Sequence, residues 1–151
     1  MPHIHELYDF VVTPFIVHED KVLLVNHPRY NKWIPPGGHI ELDEDPEEAL
    51  YREIEEETGL EVKILSTKPS VDSPGIKPLP APNYVEVHEA NAPHKHIALI
   101  YFAVTKTDAF RLSGEHTAMK WFTLEELEEA EYALPPSTKF YAREAITLSK
   151  A

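Results

Sequence analysis

Four glutamates in one short segment are the residues of this chain best suited to chemistry. Glu53, Glu56 and Glu57 stand at i, i+3 and i+4, and Glu55 lies among them. In an α-helix that spacing brings the first three carboxylates together on one face. Such like charges destabilise a bare helix, and Arg52 alone cannot neutralise them. Because Mg²⁺ in proteins is bound by a few carboxylates and by substrate phosphates, the segment predicts a loop–helix unit that holds a divalent ion against a phosphate chain.

The neighbouring residues predict the helix that must position these carboxylates. Asp45 suits the N-cap, Pro46 suits the first helical position, and Glu48 completes a capping box. We expect the helix to run to about Thr58, because Gly59 can supply a left-handed C-terminal cap. Two apolar residues spaced four apart are expected to face the core: Leu50 and Ile54.

The run from Gly37 to Leu60, GGHIELDEDPEEALYREIEEETGL, resembles a complete Nudix box, the signature of the Nudix hydrolases. After Gly38 come five residues, then Glu44, then seven more, and then REIEEETGL. A solvated acidic helix with a capping box would explain the helix, but not the glycines, Glu44 and Arg52 at these offsets. The resemblance implies the α/β class and the Nudix fold, an α/β/α sandwich around a mixed β-sheet, with residues 1–151 forming one Nudix hydrolase domain.

The resemblance also implies roles for the box residues. In Nudix hydrolases the adjacent glutamates of the R-E-x-x-E-E core bind the metal ion, which carries this role to Glu56 and Glu57. Glu53 is then either a further metal ligand or the base that deprotonates water. Arg52 would orient the glutamates through charge-assisted hydrogen bonds. The implied cofactor is Mg²⁺ or Mn²⁺, which acts as a Lewis acid and activates water.

Two further metal ligands are implied, one close to the box and one distant. Gly37 and Gly38 have no side chains, so a backbone carbonyl at Gly37 can approach a metal ion closely. Glu115 follows a glycine and precedes the strand that contains Trp121, as an additional glutamate ligand does in MutT-type relatives. An ordinary turn glutamate is the alternative for Glu115. Glu44 is expected to be structural or to lie outside the ligand shell.

The loop before the box holds the candidate substrate-binding residues: Arg29, Lys32 and Trp33. One interpretation places Trp33 in the core and leaves both cations in solvent. The other makes the three residues a wall of the substrate pocket, in which the cations meet phosphate oxygens. Residues 67–95, which are rich in proline, predict a long surface excursion. We expect this excursion to carry substrate specificity.

Two His-x-His pairs are present, His3 with His5 and His94 with His96. Such a pair can bind a transition metal ion. The sequence offers no third ligand at a suitable spacing, so we interpret these residues as surface or pocket-edge histidines.

Composition limits the classes of partner. Aspartate and glutamate outnumber lysine and arginine 26 to 14, for a net charge of −12, and the chain has no cysteine. We therefore expect no long nucleic acid partner; a metal ion can still bridge the acidic protein to a small polyphosphate. Disulfides, thiolate metal sites and cysteine nucleophiles are excluded. Without a long apolar run or a signal-like start, we expect a cytoplasmic protein that does not associate with membranes.

Periodicity predicts the elements around the box. The expected strands are residues 9–17, 22–26, 61–66, 84–87, 96–105 and 119–123, and the expected helices besides that of the box are 124–131 and 137–149. Pro14 indicates an edge or a bulge in the first strand. The strand at 96–105 has the strongest apolar signal and is expected to be central.

These observations favour a metal-dependent hydrolase that cleaves a phosphoanhydride bond in a nucleoside diphosphate linked to another moiety, a small nucleotide-type substrate, by attack of water at phosphorus. Because dimers are common among Nudix hydrolases, the resemblance also implies a homodimer. The main alternative is a catalytically weak nucleotide-binding or regulatory Nudix module, although such modules typically have a broken box. An isopentenyl diphosphate isomerase would need a cysteine, and the acidic charge disfavours an RNA 5′-end pyrophosphohydrolase.

Overall fold

The sheet is arranged around β1 (Tyr8–His18), in a computed structural model that describes residues 1–114 and 118–151. The other strands are β2 (Lys21–His27), β3 (Lys32–Ile34), β4 (Gly38–His39), β5 (Lys63–Ile64), β6 (Tyr84–Glu89), β7 (Lys95–Val104) and β8 (Ala118–Phe122). The helices are α1 (Pro46–Thr58), α2 (Leu124–Leu127) and α3 (Pro136–Ser149).

The sheet is mixed, as expected. β1 pairs in parallel with β7 along nearly its whole length, whereas every other pairing is antiparallel. The path runs β3-β2-β1-β7-β5, with β8 joined to β2, β4 to β1 and β6 to β7. β7 therefore has partners on both edges, which confirms its central position.

Apolar side chains cover both faces of the sheet, and a long helix packs on each face. On one face Phe15 and Ile100 pack with Ile146 of α3. On the other face Ile16 packs with Leu50 and Ile54 of α1. Successive residues of a strand point to opposite faces, so the apolar runs of β1 and β7 supply both cores. The result is the predicted helix–sheet–helix sandwich.

The helix predicted in the box is present with the expected ends. The Asp45 side chain accepts a hydrogen bond from the Glu48 N–H at 2.9 Å, and the Glu48 side chain accepts from the Asp45 N–H, which completes the capping box. Gly59 closes the helix at φ 67°, in the left-handed region. Lys77 also donates to Asp45, and this bond, with the capping bond, lowers the pKa of Asp45 to about 2.

Pro14 lies neither in an edge strand nor at a described bulge. β1 has β7 along one side, and on the other side it exchanges partners, pairing with β4 at Val12 and with β2 at Val17. Pro14 falls in the interval between these two partners. Because proline has no N–H to donate, the interval tolerates it within a central strand.

Two predicted elements are shorter than expected. The strand expected at 61–66 is only Lys63–Ile64. Beyond it the side chain of Asn83 donates to the Leu65 carbonyl and accepts from the Phe102 N–H, so Asn83 takes over the edge of β7. The helix expected at 124–131 ends at Leu127. Repeated glutamates on successive turns repel one another there. No helix within the described residues is both long and apolar enough to cross a lipid bilayer.

Candidate active site

Arg52 is the hub of the acidic cluster on α1. Its guanidinium donates to both carboxylate oxygens of Glu44, at 2.6 Å from Nε and 2.7 Å from Nη2. Nη1 donates to Glu53 at 2.9 Å and to Glu56 at 3.2 Å. Nη2 also donates to the backbone carbonyl of His39 at 3.0 Å. One cation therefore positions two of the candidate metal ligands and ties α1 to β4.

Glu44 is the carboxylate most firmly held by Arg52. Besides the two bonds from Arg52, it accepts the Glu41 N–H at 2.9 Å. The Arg52 bond is the main cause that lowers the pKa of Glu44 to about 2, and the Glu41 bond adds to it. The same contact raises the pKa of Arg52. Glu44 is therefore an anchor for Arg52, in agreement with the structural role predicted for it.

Glu57 is the most buried glutamate of the cluster, with 4% of its surface exposed. Its Oε2 accepts a hydrogen bond of 2.9 Å from the Gly37 N–H. This bond connects α1 to the segment between β3 and β4. The structure thus places the Gly37 backbone and the Glu57 carboxylate, both candidate metal ligands, side by side.

Gly38 lies so close to Glu53 that a side chain at this position would displace the Glu53 carboxylate. A Cβ at Gly38 would be 2.3 Å from Glu53 Oε1, and one at Gly37, where φ is +143°, would be 2.2 Å from the Val12 carbonyl oxygen. Both distances are far below van der Waals contact. The two glycines therefore let the backbone approach the acidic cluster.

Glu56 stands at the open side of the cluster, with 59% of its side chain exposed, against 12% for Glu53. Glu53 and Glu56 share Arg52 Nη1, and Glu57 accepts from the Gly37 N–H, so the three glutamates lie in one region, although their carboxylate oxygens do not all come within 4.8 Å of one another. Hard oxygen donors grouped in this way suit a divalent ion such as Mg²⁺ or Mn²⁺. Of the predicted site residues, Glu115 lies outside the described part of the chain.

A cleft of about 870 Å³ opens beside this cluster, and Glu57, Gly37 and Gly38 form part of its wall. Arg29 and Lys32 line the same cleft. Other lining residues come from α3 and from residues 86–96, and include Glu86, His88, Asn91, His94, His96, Ser137, Thr138 and Tyr141. The predicted basic pair therefore faces the space next to the candidate metal ligands.

Trp33 is not among the residues that line the cleft. Its ring packs edge-on against Phe122 at 5.2 Å and against Tyr132 at 6.3 Å between centroids. The structure thus brings Arg29 and Lys32 to the cleft, whereas Trp33 is partly buried and packs against the core. A substrate contact by Trp33 stays a prediction without geometric support here.

The long excursion at residues 67–95 divides into two parts. In the first part Lys68 pairs with Glu47 and Lys77 with Asp45, so it packs along the start of α1. The second part contains β6 and borders the cleft from Glu86 to His96. Only this second part is placed to touch a ligand in the cleft.

Sequence reasoning missed a cluster among the residues that line the cleft. Asp9, His39 and His96 bring one ligand atom each within 4.8 Å of one another. Burial lowers the pKa of His96, and the nearby His88 and His39 lower it further. His96 was identified in the sequence as part of a His-x-His pair. Its partners Asp9 and His39 lie on other strands, and no regular interval in the sequence links them to His96.

Comparison with known proteins identifies the family. The model of the NUDIX domain matches residues 9–143, which include the acidic cluster, the glycine pair and most of the cleft. The chain belongs to the Nudix family. This confirms the resemblance found in residues 37–60, and it extends the match over most of the chain.

Individual Nudix relatives agree with the family match. A MutT-like protein of Streptomyces ambofaciens is 30% identical over 129 residues, which is 82% of this chain and 69% of that protein. Diphosphoinositol polyphosphate phosphohydrolase 3-alpha of Mus musculus is 49% identical, but over only 47 residues, 30% of this chain and 29% of that protein. The crystal structure of a NUDIX-family hydrolase from Clostridium perfringens superposes with a TM-score of 0.84 at 36% identity, over 93% of this chain and 97% of that chain.

Family membership sets the enzyme class. Nudix proteins are hydrolases of acid anhydrides that act on nucleoside diphosphates linked to another moiety, and they generally use divalent metal ions. The fold and the hydrolase class are thus those expected from the sequence, and the family as a whole acts on the expected class of small nucleotide-type compounds.

Proposed function

We propose that this Nudix protein hydrolyses a phosphoanhydride bond in a small nucleotide or nucleotide derivative, with water attacking phosphorus. The observation that carries the proposal is that the Glu57 carboxylate and the cations Arg29 and Lys32 line one cleft. A diphosphate in that cleft would be within reach of both the basic side chains and the Glu57 carboxylate.

We propose that Mg²⁺ or Mn²⁺ is held by Glu53, Glu56, Glu57 and the Gly37 carbonyl. The fit rests on the donor set, which is rich in carboxylate oxygen, and on glycine backbone that leaves no room for a Cβ near Glu53. A divalent ion bound there would neutralise charge on the phosphates and favour deprotonation of water. Glu115 is proposed as an additional ligand or base.

The residues of the chain would divide the remaining work. Arg52 keeps Glu53 and Glu56 in place through charge-assisted hydrogen bonds. Arg52 is not among the described residues that line the cleft. Glu53 remains a candidate for either a metal ligand or the general base. Arg29 and Lys32 would neutralise and orient the phosphates of the substrate.

A substrate screen tests the proposal. Purified protein with Mg²⁺ or Mn²⁺ would be offered nucleoside triphosphates, ADP-ribose, nucleotide sugars and dinucleoside polyphosphates. Diphosphoinositol polyphosphates belong in the screen because of the short match to the mouse enzyme. We expect turnover of one class, its loss in Glu56→Gln, and incorporation of oxygen from ¹⁸O-labelled water into a phosphate product.

The screen also separates the alternatives. Absence of turnover with every class, together with measurable nucleotide binding, would favour the regulatory or binding module. Label in a non-phosphate product would contradict attack at phosphorus. For Glu115, the variant Glu115→Gln decides: activity close to wild type would reject the role in catalysis.

Three other proposals accompany this function. A single domain over residues 1–151 is supported by the family match at residues 9–143. A homodimer can be checked by light scattering of the purified chain. A cytoplasmic location stays a prediction and can be checked by cell fractionation.

A further inference from the structure

Strand register brings together the cluster of Asp9, His39 and His96 in the lining of the cleft. β1 and β7 place Asp9 opposite His96, and β6 and β7 place His88 opposite His96. β4 places His39 opposite Val11, two residues along β1 from Asp9. Since paired residues share a face and alternate residues of a strand return to it, these side chains gather on the face that α3 covers further along.

We propose that Asp9, His39 and His96 form a second metal site, selective for a borderline transition ion such as Zn²⁺ and separate from the glutamates of α1. Two imidazoles and one carboxylate suit zinc, whereas Mg²⁺ prefers oxygen ligands alone. With three protein ligands, zinc would keep a position open toward the cleft.

The distances between the three side chains suit capture of one ion. His39 Nε2 and Asp9 Oδ2 are 3.9 Å apart, and all three ligand atoms lie within 4.8 Å. Around one tetrahedral zinc ion, ligand atoms at about 2.0–2.1 Å from the metal lie roughly 3.3 Å from one another. The Asp9 and His39 side chains are 46% and 56% exposed, so small rotations can close the difference.

A chain of hydrogen bonds prepares His96 as a ligand. Glu86 Oε1 lies 3.2 Å from His88 Nδ1, and His88 Nε2 lies 3.2 Å from His96 Nδ1. A carboxylate only accepts, so with both rings neutral the proton of His88 is on Nδ1 and its Nε2 accepts from His96. That leaves the lone pair of His96 on Nε2, available to a metal ion.

Glu86 is itself held in position from the other side. Its Oε2 accepts from the Tyr141 hydroxyl of α3 at 3.1 Å. A carboxylate that orients a histidine ligand through hydrogen bonds is a usual feature of protein zinc sites. In this cluster Tyr141 contacts Glu86, Glu86 contacts His88, and His88 contacts His96, so this series of hydrogen bonds orients the His96 ring.

The experiment measures Zn²⁺ binding to the purified, tag-free chain by competition with a chromophoric chelator, with Mg²⁺ in excess to occupy the carboxylates of α1. We expect one tightly bound zinc ion. Its affinity should fall by about 100-fold or more in His96→Ala, and by about tenfold in Glu86→Gln, which removes only the orienting charge.

Two controls address other histidines. His94→Ala removes a histidine of the same cleft two residues from His96, and the double variant His3→Ala, His5→Ala removes the other His-x-His pair. Neither should change zinc affinity. If wild type binds no zinc under excess Mg²⁺, or if His96→Ala binds it as wild type does, the proposed site is wrong.

Two further measurements protect the test against a folding defect. Asp9→Asn keeps the shape of a partly exposed side chain, and it should also weaken zinc binding while thermal unfolding without metal is unchanged. Co²⁺ in place of zinc should give visible absorption bands of four-coordinate cobalt in wild type and lose them in Asp9→Asn. Retained bands would contradict the assignment of Asp9.

Zinc binding is separable from the proposed hydrolysis because it is read without substrate. Glu56→Gln should abolish turnover and leave zinc affinity at this site unchanged. Loss of zinc binding in Glu56→Gln would assign the ion to the glutamates of α1 and would overturn the second site.

Discussion

Arg52 donates two parallel hydrogen bonds, of 2.6 Å and 2.7 Å, to the carboxylate of Glu44, which lies eight residues earlier in the chain. The pair joins the loop before α1 to the middle of the helix. Because the same guanidinium also contacts Glu53 and Glu56, the position of the candidate metal ligands depends on this anchor.

We expect Arg52→Lys to lower kcat/KM by about 10–100-fold, as changes in residues that orient metal ligands commonly do. Lysine keeps the charge but cannot make the forked contact to Glu44 while also reaching two other glutamates. Steady-state kinetics at saturating Mg²⁺ measures the effect. Arg143→Lys, at a surface pair with Glu128, is the matched control and should behave as wild type.

Glu44→Gln should reduce the free energy of unfolding in a pH-dependent manner. The pKa of Glu44 is about 2 in the folded protein, below the ordinary value of 4.5, so its carboxylate stabilises the fold above pH 4.5. That contribution is lost as the pH falls from 4.5 toward 2. Urea unfolding of both proteins at several pH values should show a difference that is largest at neutral pH and shrinks in acid. A constant difference would contradict the pKa assignment.

Gly38→Ala should fold but lose most activity. The new methyl group would lie 2.3 Å from Glu53 Oε1, so Glu53 must move away from its place beside Arg52. We expect a destabilisation of about 1–3 kcal/mol, typical of overpacking. Gly75→Ala is the control, because it strains a residue with φ +79° where the new methyl group would meet no atom within 4 Å. Comparable activity loss in both variants would attribute the effect to general destabilisation.

Trp33 and Lys32 are adjacent in sequence, but their substitution by alanine should change different properties: protein stability for Trp33 and KM for Lys32. Trp33→Ala removes an aromatic ring packed on Phe122 and should lower the free energy of unfolding by about 3 kcal/mol, with little change in KM. Lys32→Ala, in the cleft wall, should raise KM by about tenfold, the value of one charge-assisted hydrogen bond, with stability almost unchanged. Thermal unfolding and initial rates distinguish them. A large KM effect of Trp33→Ala with normal stability would restore its role in substrate binding.

Specificity should depend on the second part of the 67–95 excursion. Asn91→Ala, in the cleft wall, should shift kcat/KM between the best substrate and its competitors by roughly twofold to tenfold, the range of one hydrogen bond. Lys77→Ala, near the start of α1, should leave the ranking of substrates unchanged. The ranking from the same substrate panel is the measurement. An altered ranking in Lys77→Ala alone would move the specificity determinant to the first part.

The features of this protein that depend on neighbours along the chain could be predicted from its sequence. The cap at Asp45, the end of α1 at Gly59 and the shared face of the glutamates follow from helical spacing, and the family follows from those residues. The partners of Arg52 were predicted as a class, since a guanidinium among glutamates must pair with some of them. Which carboxylate anchors it depended on how the loop at Glu44 folds back.

Which residues distant in sequence lie close together in space could be learned only from the three-dimensional structure. Asp9, His39 and His96 come from three strands, and their proximity depends on strand order and register, which local periodicity does not encode. For the same reason the sequence predicted an edge or a bulge at Pro14, which lies where a central strand changes its pairing partner. The division of the 67–95 excursion into two parts was not predicted either. Functional side chains on one helix can be grouped from their spacing in the sequence, because the helical period is local. Functional side chains on several strands cannot, because long-range strand pairing sets their geometry.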